Sequence, residues 1–260
     1  MRIALHQGPP GVPASTQAAL RALDAAAHRA AAGGARLLVT SELYLTGYAT
    51  DPAPLAEPAQ GPGAHAVARI AAEHGLAIAY GYPEAGPGGA TYNAVQLIGP
   101  HGAALANYRK THLFGDFEKK TFAAGADLVV QADVDGIRVG LLICYDVEFP
   151  EAVRAHALAG TELLLVPTAL MRPYEIVANA VVPTRAWESQ VYVAYANRCG
   201  REGDYDFAGL SCLAAPDGTV RARAGHGGED LILAEVDPEL LGASRAENTY
   251  LADRRPELYR

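Results

Sequence analysis

Long apolar runs are missing from this 260-residue sequence, and no window approaches the roughly 18 consecutive apolar residues of a membrane span. The opening Met1-Arg-Ile-Ala-Leu-His6 has no apolar signal-peptide core, so no export is expected. Cysteine is scarce: Cys144, Cys199 and Cys212 are an odd set with no C-x-x-C pair. That pattern argues against a disulfide framework and predicts reduced thiols in a cytoplasmic protein. Basic charge is also short, with 21 Lys and Arg against 29 Asp and Glu, a net charge of −8, and no dense basic run. This balance disfavours a nucleic-acid or anionic-membrane partner. The G-x-S-x-G elbow, H-E-x-x-H, the phosphate-binding G-x-x-x-x-G-K-[ST] and the dinucleotide G-x-G-x-x-G are all absent.

What is present is a substantial core. Half the residues are hydrophobic and 19% are charged, as in an ordinary soluble protein, and strands interleaved with helices along the chain suggest an α/β domain. Strands are predicted at 3–6, 37–40, 76–81, 93–98, 137–143, 162–166 and 191–196 from β-branched and aliphatic content between breakers. Ala-rich stretches at 15–32, 64–74 and 149–159, and a fourth at 175–188, read as helices. Two segments, around Gly99-Pro-His-Gly102 and Ala215-Pro-Asp-Gly218, each set Pro-X-Gly between short apolar runs and read as hairpins. Their echo suggests two similar halves in a layered sandwich. No domain boundary stands out, so residues 1–260 are expected to form one domain. The tail 248–260 carries Tyr250, Leu251, Leu258 and Tyr259 among charges, and docking on a neighbouring surface or subunit is expected of it.

Three chemically complementary residues follow strand-like runs. Val139-Gly-Leu-Leu-Ile-Cys144 ends on a thiol, with Pro150 and Glu151 placed to open a helix. Leu37-Leu-Val-Thr-Ser-Glu42 ends on a carboxylate, and Leu105-Ala-Asn-Tyr-Arg-Lys110 on an ammonium. Ligands of open α/β sheets gather beyond the carboxyl ends of strands. A thiol needs a base to become a nucleophile, and the oxyanion formed by its attack needs a cation or N–H donors.

Around these residues the sequence resembles the nitrilase superfamily of carbon–nitrogen hydrolases over nearly its whole length. The matching segments are Ser41-Glu42-Leu-Tyr-Leu-Thr-Gly47-Tyr48, Asn107-Tyr-Arg-Lys110-Thr-His-Leu-Phe-Gly115 and Ile143-Cys144-Tyr-Asp-Val-Glu-Phe-Pro150-Glu151. Gly81-Tyr-Pro-Glu84, Tyr92-Asn93, Val166-Pro-Thr168, Arg185-Ala186 and Ala196-Asn197-Arg198 support them. The family pattern normally has Pro where this chain has Ser41. The resemblance implies an α-β-β-α sandwich, four layers deep, working as a homodimer. It implies Cys144 as nucleophile, Glu42 as base, Lys110 and the Tyr145 backbone N–H as oxyanion donors, and a further acid. Glu118 is the candidate for that acid, with Asp116 its nearest rival. No metal or organic cofactor is called for, because each half-reaction is proton transfer with addition and elimination.

Within the superfamily the blocks are most similar to the amidase branch, near enzymes acting on 5-aminopentanamide and other amino-amides. Those relatives commonly carry Asn where this chain has Leu170, which marks Leu170 as a substrate-side position. Glu175, just past Pro173-Tyr174, is a candidate partner for a substrate ammonium. A nitrilase or an N-carbamoyl amidohydrolase is the alternative within the superfamily. Outside it, a redox-sensing or binding protein using Cys144 is the remaining reading, and such a protein would have no need of Glu42 and Lys110.

Overall fold

The two Pro-X-Gly segments form hairpins with the same hydrogen bonds. In the first, Gly99 N–H donates to Ala103 O and Gly102 N–H to Gly99 O; in the second, Ala215 N–H donates to Thr219 O and Gly218 N–H to Ala215 O. Gly102 and Gly218 sit at φ 83° and 80°, where a side chain would be strained. Both hairpins also shift register just before the turn, at Leu97/Ile98 and at Leu213/Ala214. The computed structural model that shows this describes residues 1–259. Arg260, the last residue of the expected tail, lies outside the described residues.

The hairpins belong to two six-stranded sheets of matching topology. The first contains β1 (Arg2–Gln7), β2 (Leu37–Val39), β3 (Ala77–Ala85), β4 (Thr91–Ile98) and β5 (Ala104–Arg109). The second contains β6 (Gln131–Val134), β7 (Ile137–Leu141), β8 (Leu163–Thr168) and β9 (Tyr192–Asn197). After a separate hairpin, β10 (Cys199–Glu202) and β11 (Tyr205–Ala208), the second sheet is completed by β12 (Cys212–Ala214) and β13 (Val220–Arg223). The chain then returns to the first sheet as β14 (Asp230–Glu235), antiparallel to β1. The sheet orders are β14-β1-β2-β3-β4-β5 and β6-β7-β8-β9-β12-β13. In each, three central parallel strands are followed by an antiparallel hairpin and preceded by one antiparallel strand.

The helices are α1 (Thr16–Ala32), α2 (Pro62–His74), α3 (Gly115–Thr121), α4 (Pro150–Leu158), α5 (Val182–Ser189) and α6 (Pro238–Glu247). α1 and α2 cover the outer face of the first sheet and α4 and α5 that of the second, while Phe117 of α3 packs with Leu43, Tyr48 and Phe207. Ser15 caps α1 by accepting from Ala18 N–H at 3.1 Å, and Pro62 and Pro150 open α2 and α4, where no N–H is needed. Leu20, Leu23 and Val67 of α1 and α2 pack on Leu38, Ile78 and Tyr80 of the first sheet. The other face of that sheet, through Leu5, Val39 and Leu97, meets Val139, Leu163 and Ala194 of the second sheet, with Val153 of α4 and Ala186 of α5 beyond. The fold is therefore the expected α-β-β-α sandwich, with two inner sheet faces forming the largest core.

The predicted helix at 175–188 is divided. A π-turn at Val177–Val181 precedes α5, and Val182 N–H bonds to Val177 O. Pro183 supplies no N–H and its ring crowds the preceding turn, so the ladder widens there. In the tail, the Tyr250 ring stands edge-on to Trp187 of α5 with centroids 6.2 Å apart. Among the described residues, no helix is long and apolar enough to cross a membrane.

Candidate active site

Each of the three strand-end residues lies just past its strand. Glu42 follows β2 by three residues, Lys110 follows β5 directly, and Cys144 opens a 3-10 turn, Cys144–Glu148, three residues after β7. Leu43 and Cys144 hold φ of 47° and 45°, sparsely populated values for side-chain-bearing residues. The Glu42 turn passes so close to β3 that a Cβ on Gly81 would lie 2.5 Å from Leu43 N and 2.7 Å from Ser41 O. Only glycine fits at that crossing. Glu42 N–H donates to Thr168 O at 3.3 Å, which ties the end of one sheet to β8 of the other.

The fold brings Glu42, Lys110 and Glu118 together. Lys110 Nζ donates to Glu42 Oε1 and to Glu118 Oε1, each at 2.7 Å, and all three side chains are buried. Asn93 Nδ2 also donates to Glu42 Oε1 at 2.7 Å. The Tyr48 hydroxyl donates to Glu118 Oε1 at 2.8 Å, and Phe114 N–H to Glu118 Oε2 at 2.8 Å. Glu42 Oε2 is buried and accepts no hydrogen bond from the protein among the described residues. Asp116, the rival acid, points outward to Lys120 at 3.3 Å.

Two buried carboxylates and one ammonium have a shared electrostatic character. Burial raises the Glu42 carboxyl above its usual pKa, with Lys110 opposing and Glu118 reinforcing. Burial disfavours the Lys110 charge, but Glu42 and Glu118 outweigh it and hold the ammonium well above its usual pKa. Cys144 lies in the same field, partly exposed where the others are not. Burial and then the Glu42 charge push its thiol well up, against Lys110 and the Ala169 backbone N–H. The resting sulfur is thus a neutral thiol. Glu42 is the charge that acts most strongly on it, and the unpartnered oxygen of that carboxylate can take a proton in step with attack, while a fixed ammonium can meet developing negative charge.

Further residues position this cluster; Asp146, Arg185 and Arg198 stand in the motif segments, but the sequence alone gave them no role. Buried Asp146 accepts from Ile143 N–H (3.0 Å), the Tyr108 hydroxyl (2.9 Å), Thr111 Oγ1 (2.9 Å) and His112 N–H (2.9 Å). Its position two residues after the cysteine was the available signal. Arg198 donates to Glu42 O at 3.1 Å and pairs with buried Glu202, which in turn accepts Tyr48 N–H at 2.7 Å. Arg185 holds the Cys144 turn by donating to Val147 O (3.0 Å) and Glu148 O (2.7 Å).

The two expected substrate-side residues are placed differently. Leu170 follows Ala169; its side chain is buried in the largest apolar cluster and its N–H donates to Asn197 Oδ1 at 2.7 Å. Glu175 pairs with Arg172 at 3.5 Å. Aromatic rings stand near the nucleophile: Phe114 lies 5.3 Å from Tyr145 and 6.4 Å from Tyr174 between centroids. A cavity of about 250 Å³ lined by Pro9, Val12, Ala18, Tyr44 and Arg198 lies behind the Glu42 turn and includes neither Cys144 nor Lys110.

Comparison with known proteins matches the chain to the carbon-nitrogen hydrolase model over residues 2–246. A protein described as a hydrolase in the pqqF 5' region of Pseudomonas protegens is 50% identical, covering 100% of this chain and 90% of its own length. An (R)-stereoselective amidase of a Pseudomonas species is 38% identical over 86% of this chain and 81% of that protein. Among solved structures, a variant of the amidase from Nesterenkonia sp. AN1 superposes with a TM-score of 0.88 at 36% identity, covering 100% of this chain and 95% of that one. That variant carries the acetamide moiety of fluoroacetamide on its active-site cysteine.

Proposed function

Because the chain belongs to the carbon–nitrogen hydrolase family, in the amidase branch of the nitrilase superfamily, we propose that it hydrolyses small linear amides through a thioester on Cys144. The observation that carries this reading is the Glu42 carboxylate: one oxygen is fixed by Lys110 and Asn93, and the other is free to accept a proton.

Glu42 takes the Cys144 proton as sulfur attacks the amide carbon. Lys110 and the Tyr145 N–H stabilise the oxyanion, and Glu42 returns the proton to the departing nitrogen, releasing ammonia. Glu42 then deprotonates water, which cleaves the thioester to the carboxylic acid and restores the thiol. Glu118 holds Lys110 from the side opposite Glu42 and orients the substrate. General acid–base help of this kind is worth about 10²–10⁴-fold, and one oxyanion donor about 10²–10³-fold. The substrate class is amides of the 5-aminopentanamide kind, as the amino-amide blocks of the sequence suggest. Exposed Leu158, Trp187, Tyr250 and Tyr259 support a homodimer formed through α4, α5 and the tail.

The test is ammonia release from matched amides, nitriles and N-carbamoyl amino acids. The reading expects the amides to be fastest. Faster release from nitriles or carbamoyl compounds would replace it with the nitrilase or carbamoylase alternative.

A further inference from the structure

Glu148 is a carboxylate that the scheme above leaves unused. It closes the 3-10 turn that begins at Cys144, and Arg185 fixes its carbonyl. Its side chain is half-buried, and among the described residues it accepts no hydrogen bond and forms no ion pair. The other buried and half-buried carboxylates of this region are committed: Glu42 and Glu118 to Lys110, Asp146 to four donor residues, Glu175 to Arg172, Glu188 to Arg185 and Glu202 to Arg198. A carboxylate drawn partly out of water without a partner is costly, and an unpaired one beside a reaction centre calls for an explanation.

It shares its turn with the nucleophile, and Lys110 is the strongest charge opposing the rise that burial gives its pKa. Glu42, Glu118 and Lys110 together carry one net negative charge when both carboxylates are ionised, and Glu148 adds a second. Arg185, which holds the Glu148 carbonyl, is occupied by Glu188 at 2.7 Å and by two carbonyls, and Arg198 by Glu202. Such a field attracts a cation and disfavours a carboxylate. Glu148 lies at the other end of the five-residue turn that Cys144 opens, so a charge it holds lies away from the scissile carbonyl.

We propose that Glu148 binds the terminal ammonium of the substrate, so that the enzyme selects linear amides bearing a positive charge at the far end of the acyl chain. This rests on the amide-hydrolysis reading and adds the residue that sets specificity within it. The test compares kcat/KM for 5-aminopentanamide, hexanamide and the monoamide of adipic acid, which share chain length but end in ammonium, methyl and carboxylate. In the wild type the ammonium amide leads. In Glu148→Gln its ratio to hexanamide falls about 10–100-fold, the scale of a charge-assisted hydrogen bond. In Glu148→Arg the adipic monoamide overtakes the ammonium amide. An unchanged ratio in Glu148→Gln overturns the assignment, whatever happens to the absolute rates.

A second measurement needs neither turnover nor a variant. Pentylammonium should protect wild-type Cys144 from alkylation by iodoacetamide where pentanol at the same concentration does not. Equal protection by the two overturns the assignment. Failure of the wild type to hydrolyse any of the three amides counts against the amide reading itself, and protection then decides Glu148 separately.

Discussion

Asp146 and His112 lock the turn that carries the nucleophile to the strand end that carries the lysine. Asp146 Oδ1 takes both the ring Nδ1 of His112 at 2.8 Å and its backbone N–H at 2.9 Å. The His112 ring stacks on Phe149 at 4.0 Å between centroids, closing the joint from the other side. Replacing Asp146 by Asn keeps the shape but sets an amide NH₂ against donors. Asp146→Asn should lower kcat about 100-fold by misplacing Cys144 relative to Lys110, and should lower the melting temperature. Ammonia release and thermal unfolding read the two effects, and a wild-type rate in this variant would refute the positioning role.

Gly81 governs the Glu42 turn in a similar way. A methyl group there meets backbone atoms of Ser41, Glu42 and Leu43, none of which can rotate away. Gly81→Ala should therefore cost activity about 100-fold as well as stability. Gly242→Ala in α6, where nothing lies within 4 Å, is the control. It should leave activity intact and raise stability by about 0.5–1 kcal/mol.

Removing the ammonium and removing the sulfur should have opposite structural consequences. Lys110→Ala leaves Glu42 and Glu118 buried side by side without a cation, a loss on the order of 3–5 kcal/mol. Cys144→Ala removes a partly exposed thiol and should unfold close to the wild-type temperature while inactive. Denaturant unfolding of both variants checks this, and equal stability of the two would contradict the buried-cluster account.

His156 sets an acid limit on stability. It is buried, bonded through Nδ1 to Thr161 Oγ1 and through Nε2 to Leu128 O, each at 3.1 Å, and burial pushes its pKa down to about 4. Above pH ~6.5, the ordinary histidine value, it is neutral in folded and unfolded chains alike, and no stability is lost. As pH falls from there towards about 4, the unfolded chain takes up a proton that the folded one refuses. Stability should therefore fall across that window, and His156→Gln should flatten the slope in unfolding curves recorded between those limits.

Local pattern made much of the framework legible. The buried parallel strands β2, β7, β8 and β9 announce themselves as aliphatic runs, and the Pro-X-Gly turns gave both hairpins. The predicted strands 37–40 and 137–143 ran past the observed ends at Val39 and Leu141, because Thr40, Leu142 and Ile143 continue the β-branched or aliphatic pattern while the backbone turns into the site. α3 was missed: Gly115-Asp-Phe-Glu-Lys-Lys-Thr has no apolar stripe, and Glu118 is buried by its bonds to Lys110, Tyr48 and Phe114. β14 was missed because its partner, β1, lies at the opposite end of the sequence. Glu42, Lys110 and Cys144 were readable as three complementary groups at strand ends, and the fold puts Glu42 and Lys110 in contact. The parts played by Asp146, Arg198 and Glu202 were not, since each acts through partners far away in sequence, and Arg198–Glu202 reads locally as an ordinary pair.

The most direct test is intact-mass analysis of the wild type and of Glu42→Gln soaked with a panel of short amides. The account predicts a species heavier by the amide less ammonia, located on Cys144 and more persistent in Glu42→Gln, where no base remains to activate water. Cys144→Ala should show neither the adduct nor turnover. Amide hydrolysis that continues in Cys144→Ala, or that proceeds in folded wild-type protein without any adduct under rapid quench, would contradict it.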